Sequence, residues 1–312
     1  MRSVWIAVAF ALSVSQLGAQ AGAAAVPANG GPQWATVQQA LGGKGTMQSG
    51  DVLKFGFPRS DLQVTAEGVA LKPAFALGSW VAFKRMSAAA DADVMAMGDL
   101  VLTEEEVGPV MLALQQNGVE QTALHNHVLR ESPRIMYMHI AAHGDAAKIA
   151  NAIHTALLQS KTPIPQAATA PAPQASAPAI NLDTVAVAQA LGFAGKGNGG
   201  VFQFSIPRSE TITDNGMTIP PSMGVATAIN FQPTGGGKAA ITGDFVMTAG
   251  EVNKVIRALR DHNIQVTALH SHMLTESPRL FFMHFWANAD AVALAKGLRA
   301  ALDQTAVKRA TK

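Results

Sequence analysis

The sequence predicts an α+β protein built of two tandem homologous repeats, each an antiparallel sheet covered by helices, and three observations predict it. The stretch Thr122–His139, TALHNHVLRESPRIMYMH, returns as Thr267–His284, TALHSHMLTESPRLFFMH, at an offset of 145 residues that holds across the C-terminal half of each unit. Each unit switches its apolar spacing in the order strand–helix–strand–strand–helix, which makes a ferredoxin-like half the simplest topology. A Pro/Ala-rich stretch, SKTPIPQAATAPAPQASAPA, separates the two units. Such a stretch supplies no core and marks a domain boundary.

The elements follow in order. Arg2 precedes the apolar run Val4–Val14, and Ala19-Gln20-Ala21 is an A-x-A cleavage pattern, so residues 1–21 read as a secretory signal, with Ala23–Ala25 as an alternative cut. Residues 22–32 form a disordered lead-in, 33–159 the first repeat, 160–179 the linker, 180–305 the second repeat and 306–312 a tail. Each repeat opens on a short helix (Trp34–Leu41; Asp183–Leu191) and a strand of alternating apolar residues (Val52–Phe57; Val201–Ile206). Further strands are expected around Trp80–Lys84 and Ala226–Phe231, then over Val94–Leu102 and Ala239–Met247.

The next helix of each repeat begins at a Thr with Glu three residues later, Thr103/Glu106 and Thr248/Glu251, a capping box that satisfies the free N–H groups of the first turn. Its buried face is the stripe Val107, Val110, Met111 and Leu114, repeated as Val252, Val255, Ile256 and Leu259. Pro109 removes one backbone donor from the first copy, and Gly118 and Asn263 end the two helices. Val119–Leu129 and Arg134–His143 flank Glu-Ser-Pro and read as a hairpin, before a last helix, Asp145–Leu158, with Ile149, Ile153 and Leu157 on its apolar face.

The repeated stretch carries the chemistry. Residues i and i+2 of a strand share a face, so His125 and His127 project together, as do His270 and His272. A hairpin turning about Ser132 places His139 opposite His125, and one turning about Ser277 places His284 opposite His270. Three imidazoles then converge within each repeat, the ligand set of a three-His zinc site. A slip of one residue would send the third histidine to the other face. Glu131 and Glu276, at the hairpin end, are candidate fourth ligands or general bases acting on metal-bound water. Asp99 and Asp244 are further carboxylate candidates.

Arg134 and Arg279 either pair with the turn glutamate or bind an anionic substrate group, and Arg59 and Arg208 carry the same ambiguity. Copper held through nearby methionines is disfavoured, since Met136, Met138 and Met283 run out of phase with the third histidine and are expected in the core. A lone strand histidine is more often a hydrogen-bonded, partly buried residue than a ligand. Six of the nine histidines, however, fall at repeat-equivalent positions. Cysteine is absent, so neither disulfides nor thiolate ligands are available to the chain.

The motifs Gly-Asp-x-x-x-Thr-x-x-Glu-Val and Thr-Ala-Leu-His-x-His-x-Leu-x-Glu-Ser-Pro-Arg stand at Gly98–Val107 with Thr122–Arg134, and again at Gly243–Val252 with Thr267–Arg279. In them the chain resembles the LppY/LpqO family of secreted and lipoprotein-type bacterial proteins. The resemblance implies export and a duplicated domain, and it implies no established activity. The anchoring Cys of its lipoprotein members is missing here. His-x-His with Glu four residues on also resembles the first metal motif of cupins, but helices of this strength do not suit an all-β barrel.

Removing residues 1–21 leaves 22 Lys+Arg against 21 Asp+Glu without a basic cluster, which argues against nucleic acid as partner. No apolar stretch is long enough for a transmembrane anchor. The sequence therefore predicts a periplasmic or secreted protein whose repeats pair intramolecularly. Each repeat is expected to bind a divalent metal, zinc first, and two readings of that site compete, a metal-dependent hydrolase and a site that holds a ligand without chemistry. The alternative is a non-catalytic protein that holds an envelope component or small-molecule ligand, its histidines structural.

Overall fold

The computed structural model describes residues 32–87, 93–165 and 179–308. The expected signal segment, nearly all of the lead-in and most of the linker lie outside the described residues. The first repeat runs α1 (Pro32–Ala40), β1 (Thr46–Gln48), β2 (Val52–Pro58), β3 (Thr65–Ala66), β4 (Val69–Ala70), α2 (Pro73–Ala76), β5 (Gly78–Arg85), β6 (Val94–Thr103), α3 (Glu104–Gln116), β7 (Glu120–His125), β8 (Glu131–Ser132), β9 (Ile135–Gly144) and α4 (Ala146–Leu157). The second runs α5 (Thr184–Leu191), β10 (Lys196–Asn198), β11 (Val201–Pro207), β12 (Thr213–Asp214), β13 (Met217–Thr218), a 3₁₀ turn at Pro221–Met223, β14 (Ala226–Gly235), β15 (Lys238–Met247), α6 (Ala249–Asp261), β16 (Gln265–His270), β17 (Phe281–Asp290) and α7 (Ala291–Leu302).

Each repeat forms a six-stranded antiparallel sheet, in the order β1-β2-β5-β6-β9-β7 and β10-β11-β14-β15-β17-β16. The expected order of elements is present in both, since β6-α3-β7-β9-α4 places β9 between β6 and β7. Both capping boxes form, at Thr103/Glu106 and Thr248/Glu251. Gly118 and Asn263 take the left-handed conformation that closes the two helices. The less patterned stretch before each β5 or β14 strand holds two short strands and, in the first repeat, the four-residue helix α2. Segments of two to four residues show no periodicity by which to find them.

The long strands are apolar on both faces. In β6, Val94, Ala96, Leu100 and Leu102 pack toward α1, α3 and α4, whereas Met95, Met97 and Val101 enter clusters shared with the other repeat. Met138 and Met283 lie in the helix-side cores as expected, whereas Met136, near the start of β9, is only half-buried and belongs to neither. One shared cluster joins Val52, Ala82 and Met97 to Ile212, Val246 and Phe282, and another joins Phe75, Val101 and Tyr137 to Val201 and Trp286. Helices thus cover the outer face of each sheet and the two inner faces meet.

Arg59 and Arg208 resolve as structural. Each is almost fully buried and reaches its capping glutamate, Arg59–Glu106 at 2.8 Å and Arg208–Glu251 at 2.7 Å. The same guanidiniums donate to the Val101 and Val246 carbonyls. Each arginine therefore ties the end of one strand to the start of the following helix.

The expected hairpin register is corrected. His139 pairs with Ala123, and His125 pairs with Tyr137; likewise His284 pairs with Ala268, and His270 with Phe282. The shift comes from the connection: the Glu-Ser-Pro segment is part of a wide loop and not a tight turn, because Glu131–Ser132 leaves to pair with β3. A bulge beyond the histidine pairs, between Gln121 and Ala123 and between Val266 and Ala268, offsets each ladder by one residue more. The displacement is by two residues, so the histidines stay on one face.

Gly98 and Gly243 let neighbouring strands approach. A side chain at Gly98 would stand 2.7 Å from the Trp80 carbonyl oxygen, and one at Gly243 would overlap the Ala228 carbonyl. Gly243→Ala is expected to lower the urea-unfolding free energy by more than about 2 kcal/mol through that backbone clash, whereas Gly250→Ala, in open space on α6, stays within about 0.5 kcal/mol.

Candidate metal centre

The two inner faces meet around a polar island. Thr122 Oγ1 donates to the His272 carbonyl at 2.6 Å, and Thr267 Oγ1 donates to the His127 carbonyl at 2.6 Å, which fixes the two loops reciprocally across a pseudo-twofold axis. His125 and His270 stack at that axis, 3.7 Å between ring centroids. Outside them the contacts are matched: His127 lies 3.8 Å from His284, and His139 lies 3.8 Å from His272. His127 is backed by Tyr137 at 3.3 Å, and His272 by Phe282 at 3.5 Å.

All six predicted histidines therefore meet, but in an arrangement that differs from the expected one. The ligand-capable nitrogens group as His139 with His270 and His272, and as His125 with His270 and His284, each group within 4.8 Å. Each group draws on both repeats. The expected sets His125/His127/His139 and His270/His272/His284, one per repeat, are corrected to sets shared across the interface. Face-to-face packing of the sheets brings the third histidine of one repeat nearer to the His-x-His of the other.

Asp99 and Asp244 complete the island. They pair across the ladder with His139 and His284. Asp244 Oδ2 lies 2.9 Å from His272 Nε2, and Asp99 Oδ2 lies 3.5 Å from His127 Nε2. Burial, with Asp244 as a like-charged neighbour, pushes the Asp99 carboxyl up to about 7. Burial drives His125 down to about 2 and pushes His127, His139 and His270 well below the ordinary histidine range, and neighbouring imidazoles add to the effect. His284 is lowered for the same first reason. Burial thus favours the neutral form of these five imidazoles, the form that binds a metal.

His284 Nδ1 faces the Gly243 carbonyl at 2.7 Å and His272 Nδ1 the Gly224 carbonyl at 2.9 Å, which places a proton on each Nδ1 and turns each Nε2 toward the island, that of His284 to His125 Nε2 at 3.2 Å and that of His272 to His270 Nε2 at 3.1 Å and Asp244 Oδ2 at 2.9 Å. Buried atoms without a hydrogen-bond partner collect beside them: Asp99 Oδ1, His127 Nε2, His139 Nε2 and Asp244 Oδ1. A cation there would satisfy acceptor atoms left without a partner.

The glutamates and surface arginines stand apart. Glu131 Oε1 accepts from the Ile135 N–H and Glu276 Oε1 from the Leu280 N–H, so each braces its own Ser-Pro loop. Neither belongs to a metal-capable group among the described residues. Glu131 is pushed up to about 7 by burial. Arg279 donates to Glu276 and to the Met273 carbonyl, and the exposed Arg134 lies 3.6 Å from Glu104. Sequence reasoning missed Gly224 and the backing rings Tyr137 and Phe282, because nothing in spacing alone marks a loop from one sheet edge as a support for the other hairpin.

Residues 35–159 and 185–304 match the model of a family described as Domain of Unknown Function (DUF1259). No protein of curated function matches the chain. Among solved structures, the trimeric bacterial microcompartment shell protein PduB is 12% identical, with 84% of this chain and 93% of that one covered and a TM-score of 0.20. EtuB from Clostridium kluyveri is 11% identical, with 83% and 91% covered and a TM-score of 0.19. At those scores neither bears on the argument.

The titration directions fix a pH response for protein kept free of metal. The five depressed histidines take up protons below pH 6.5 when unfolded but not when folded, so their contribution is present above pH 6.5 and lost as pH falls. Asp99 and Glu131, raised from 3.8 and 4.5, act oppositely and lose stability as pH rises toward 7. Histidines outnumber them, and each excess proton on the unfolded chain adds about 1.4 kcal/mol per pH unit. Urea midpoints are expected to drop steadily from pH 7 to pH 5, and a flat profile would contradict the buried neutral cluster.

Proposed function

The chain belongs to the DUF1259 family, and we propose that it is a metal-binding protein whose centre joins its two repeats, taking a divalent ion of the zinc class. The observation that carries this reading is the set of inward-facing Nε2 atoms beside two buried aspartates, with the opposite ring nitrogens of His272 and His284 tied to main-chain carbonyls. Zinc suits all-nitrogen and carboxylate ligands in a chain without cysteine. Ligands from both repeats make such an ion a staple between the sheets. Its binding energy then adds to folding.

Hydrolysis is a weaker reading of the same centre, because Glu131 and Glu276 are engaged in their own loops and supply no proton acceptor at the histidines. A second reading, histidines as packing alone, is favoured by the rings of Tyr137 and Phe282 lying flat against His127 and His272. Neither reading needs an envelope or small-molecule ligand.

Two further proposals accompany this one. The twice-present motif supports a place in the LppY/LpqO family, and residues 1–21 support export to the periplasm or medium. No helix among the described residues is long and apolar enough to cross a membrane.

Tag-free protein exchanged into zinc is expected to retain the ion after gel filtration and to melt at least 5 °C higher than chelator-treated protein. His125→Ala combined with His270→Ala should abolish both effects. Zinc at trace level in the wild type, or a melting point indifferent to chelator, favours packing alone. Mass spectrometry of the exported chain should give a mature N-terminus between residues 20 and 27; an intact Met1 would exclude cleavage.

A further inference from the structure

The geometry points to a centre of two ions filled unequally, the tighter held by His139, His270, His272 and Asp244, the weaker by His284, His125, His127 and Asp99. This rests on the metal-binding reading above and adds its nuclearity, its division of ligands and its order of filling.

Two close nitrogen pairs occur, not one. His270 Nε2 and His272 Nε2 are 3.1 Å apart, and His125 Nε2 and His284 Nε2 are 3.2 Å apart. Two nitrogens bound to one tetrahedral zinc at about 2.0–2.1 Å lie roughly 3.3 Å from each other, so each pair spans one edge of a coordination tetrahedron. Carboxylate oxygens stand at similar range, Asp244 2.9 Å from His272 and Asp99 3.5 Å from His127.

The pseudo-twofold axis assigns the remaining histidines. The offset of 145 residues exchanges His139, His125, His127 and Asp99 with His284, His270, His272 and Asp244. It therefore maps one proposed ligand set onto the other, with His127 taking in the weaker set the place of His270, whose nitrogen lies within 4.8 Å of both His125/His284 and His139/His272. Matched spacings agree with the exchange: 5.1 Å for His125–His127 against 5.0 Å for His270–His272, besides the two 3.8 Å contacts across the interface. Three histidines and one aspartate per ion form a closed four-ligand shell, the pattern of a structural site.

The symmetry breaks at one support. His272 Nδ1 is anchored on Gly224, a left-handed residue that ends the Pro221–Met223 turn. The first repeat carries the four-residue helix α2 in the corresponding stretch, and His127, unlike His272, belongs to no group of ligand atoms within 4.8 Å among the described residues. A ligand already oriented loses less freedom on binding. The set containing His272 should fill first.

Zinc content of the tag-free full chain, with titration against a competing chromophoric chelator, tests this. Two ions per chain are expected, the first bound at least tenfold more tightly. His127→Asn should remove only the weaker step, and His272→Asn the tighter one. One ion per chain would overturn the two-ion centre while leaving metal binding intact, and no ion would overturn both. Two indistinguishable steps would overturn the order of filling. The wild-type count decides nuclearity even where a variant fails to fold, and circular dichroism of each metal-free variant identifies such a failure.

Discussion

Each six-stranded sheet has two apolar faces, and a repeat brings helices enough to cover only one. The inner face, with Met95, Met97 and Val101 on β6 and Val246 on β15, has to meet another apolar surface or stand in water. Exposing it would cost about 25 cal/mol for each Å² of apolar area. The duplicated sheet is the surface that covers it. Pairing of the repeats is therefore a condition of the fold, and the centre between them inherits its position from that pairing.

A polar island inside such an interface works against the burial that creates it. Imidazoles and carboxylates lose hydration there, and atoms left without partners carry a penalty of about 1–3 kcal/mol each. Part of that cost is offset locally. Main-chain carbonyls of Gly243 and Gly224 take ring N–H groups, threonine hydroxyls close the loops, and Tyr137 and Phe282 supply flat apolar backing. The remainder is concentrated on the atoms facing the axis. A cation bound as proposed would relieve that concentration, and packing alone would leave it in place.

The two repeats have diverged where they support the site and not where they form it. The histidines and aspartates keep their equivalence, as do the capping boxes and the arginines that bind them. Around them Lys54 and Trp80 in the first sheet stand where the second has Gln203 and Ala228. Lys54, largely buried beside Trp80 and bonded to the Ser222 carbonyl, is pushed down to about 8 by burial. The environment of the island is thus more polar and more crowded on one side.

The sequence by itself determined the duplication, the α+β class, the order of the long elements and the identity of the six histidines and two aspartates, because each of these is written in local spacing or in repetition. Thr103, Glu106 and Gly118 mark one helix from its start to its end without reference to anything distant. Register and partnership were decided elsewhere. The diversion of Glu131–Ser132 onto β3 shifted the pairing of His139 by two residues, and that partner strand lies far outside the hairpin in sequence. Which histidines share a site followed only when two sheets met face to face, since apolar burial fixes how surfaces pack and carries the polar groups with them.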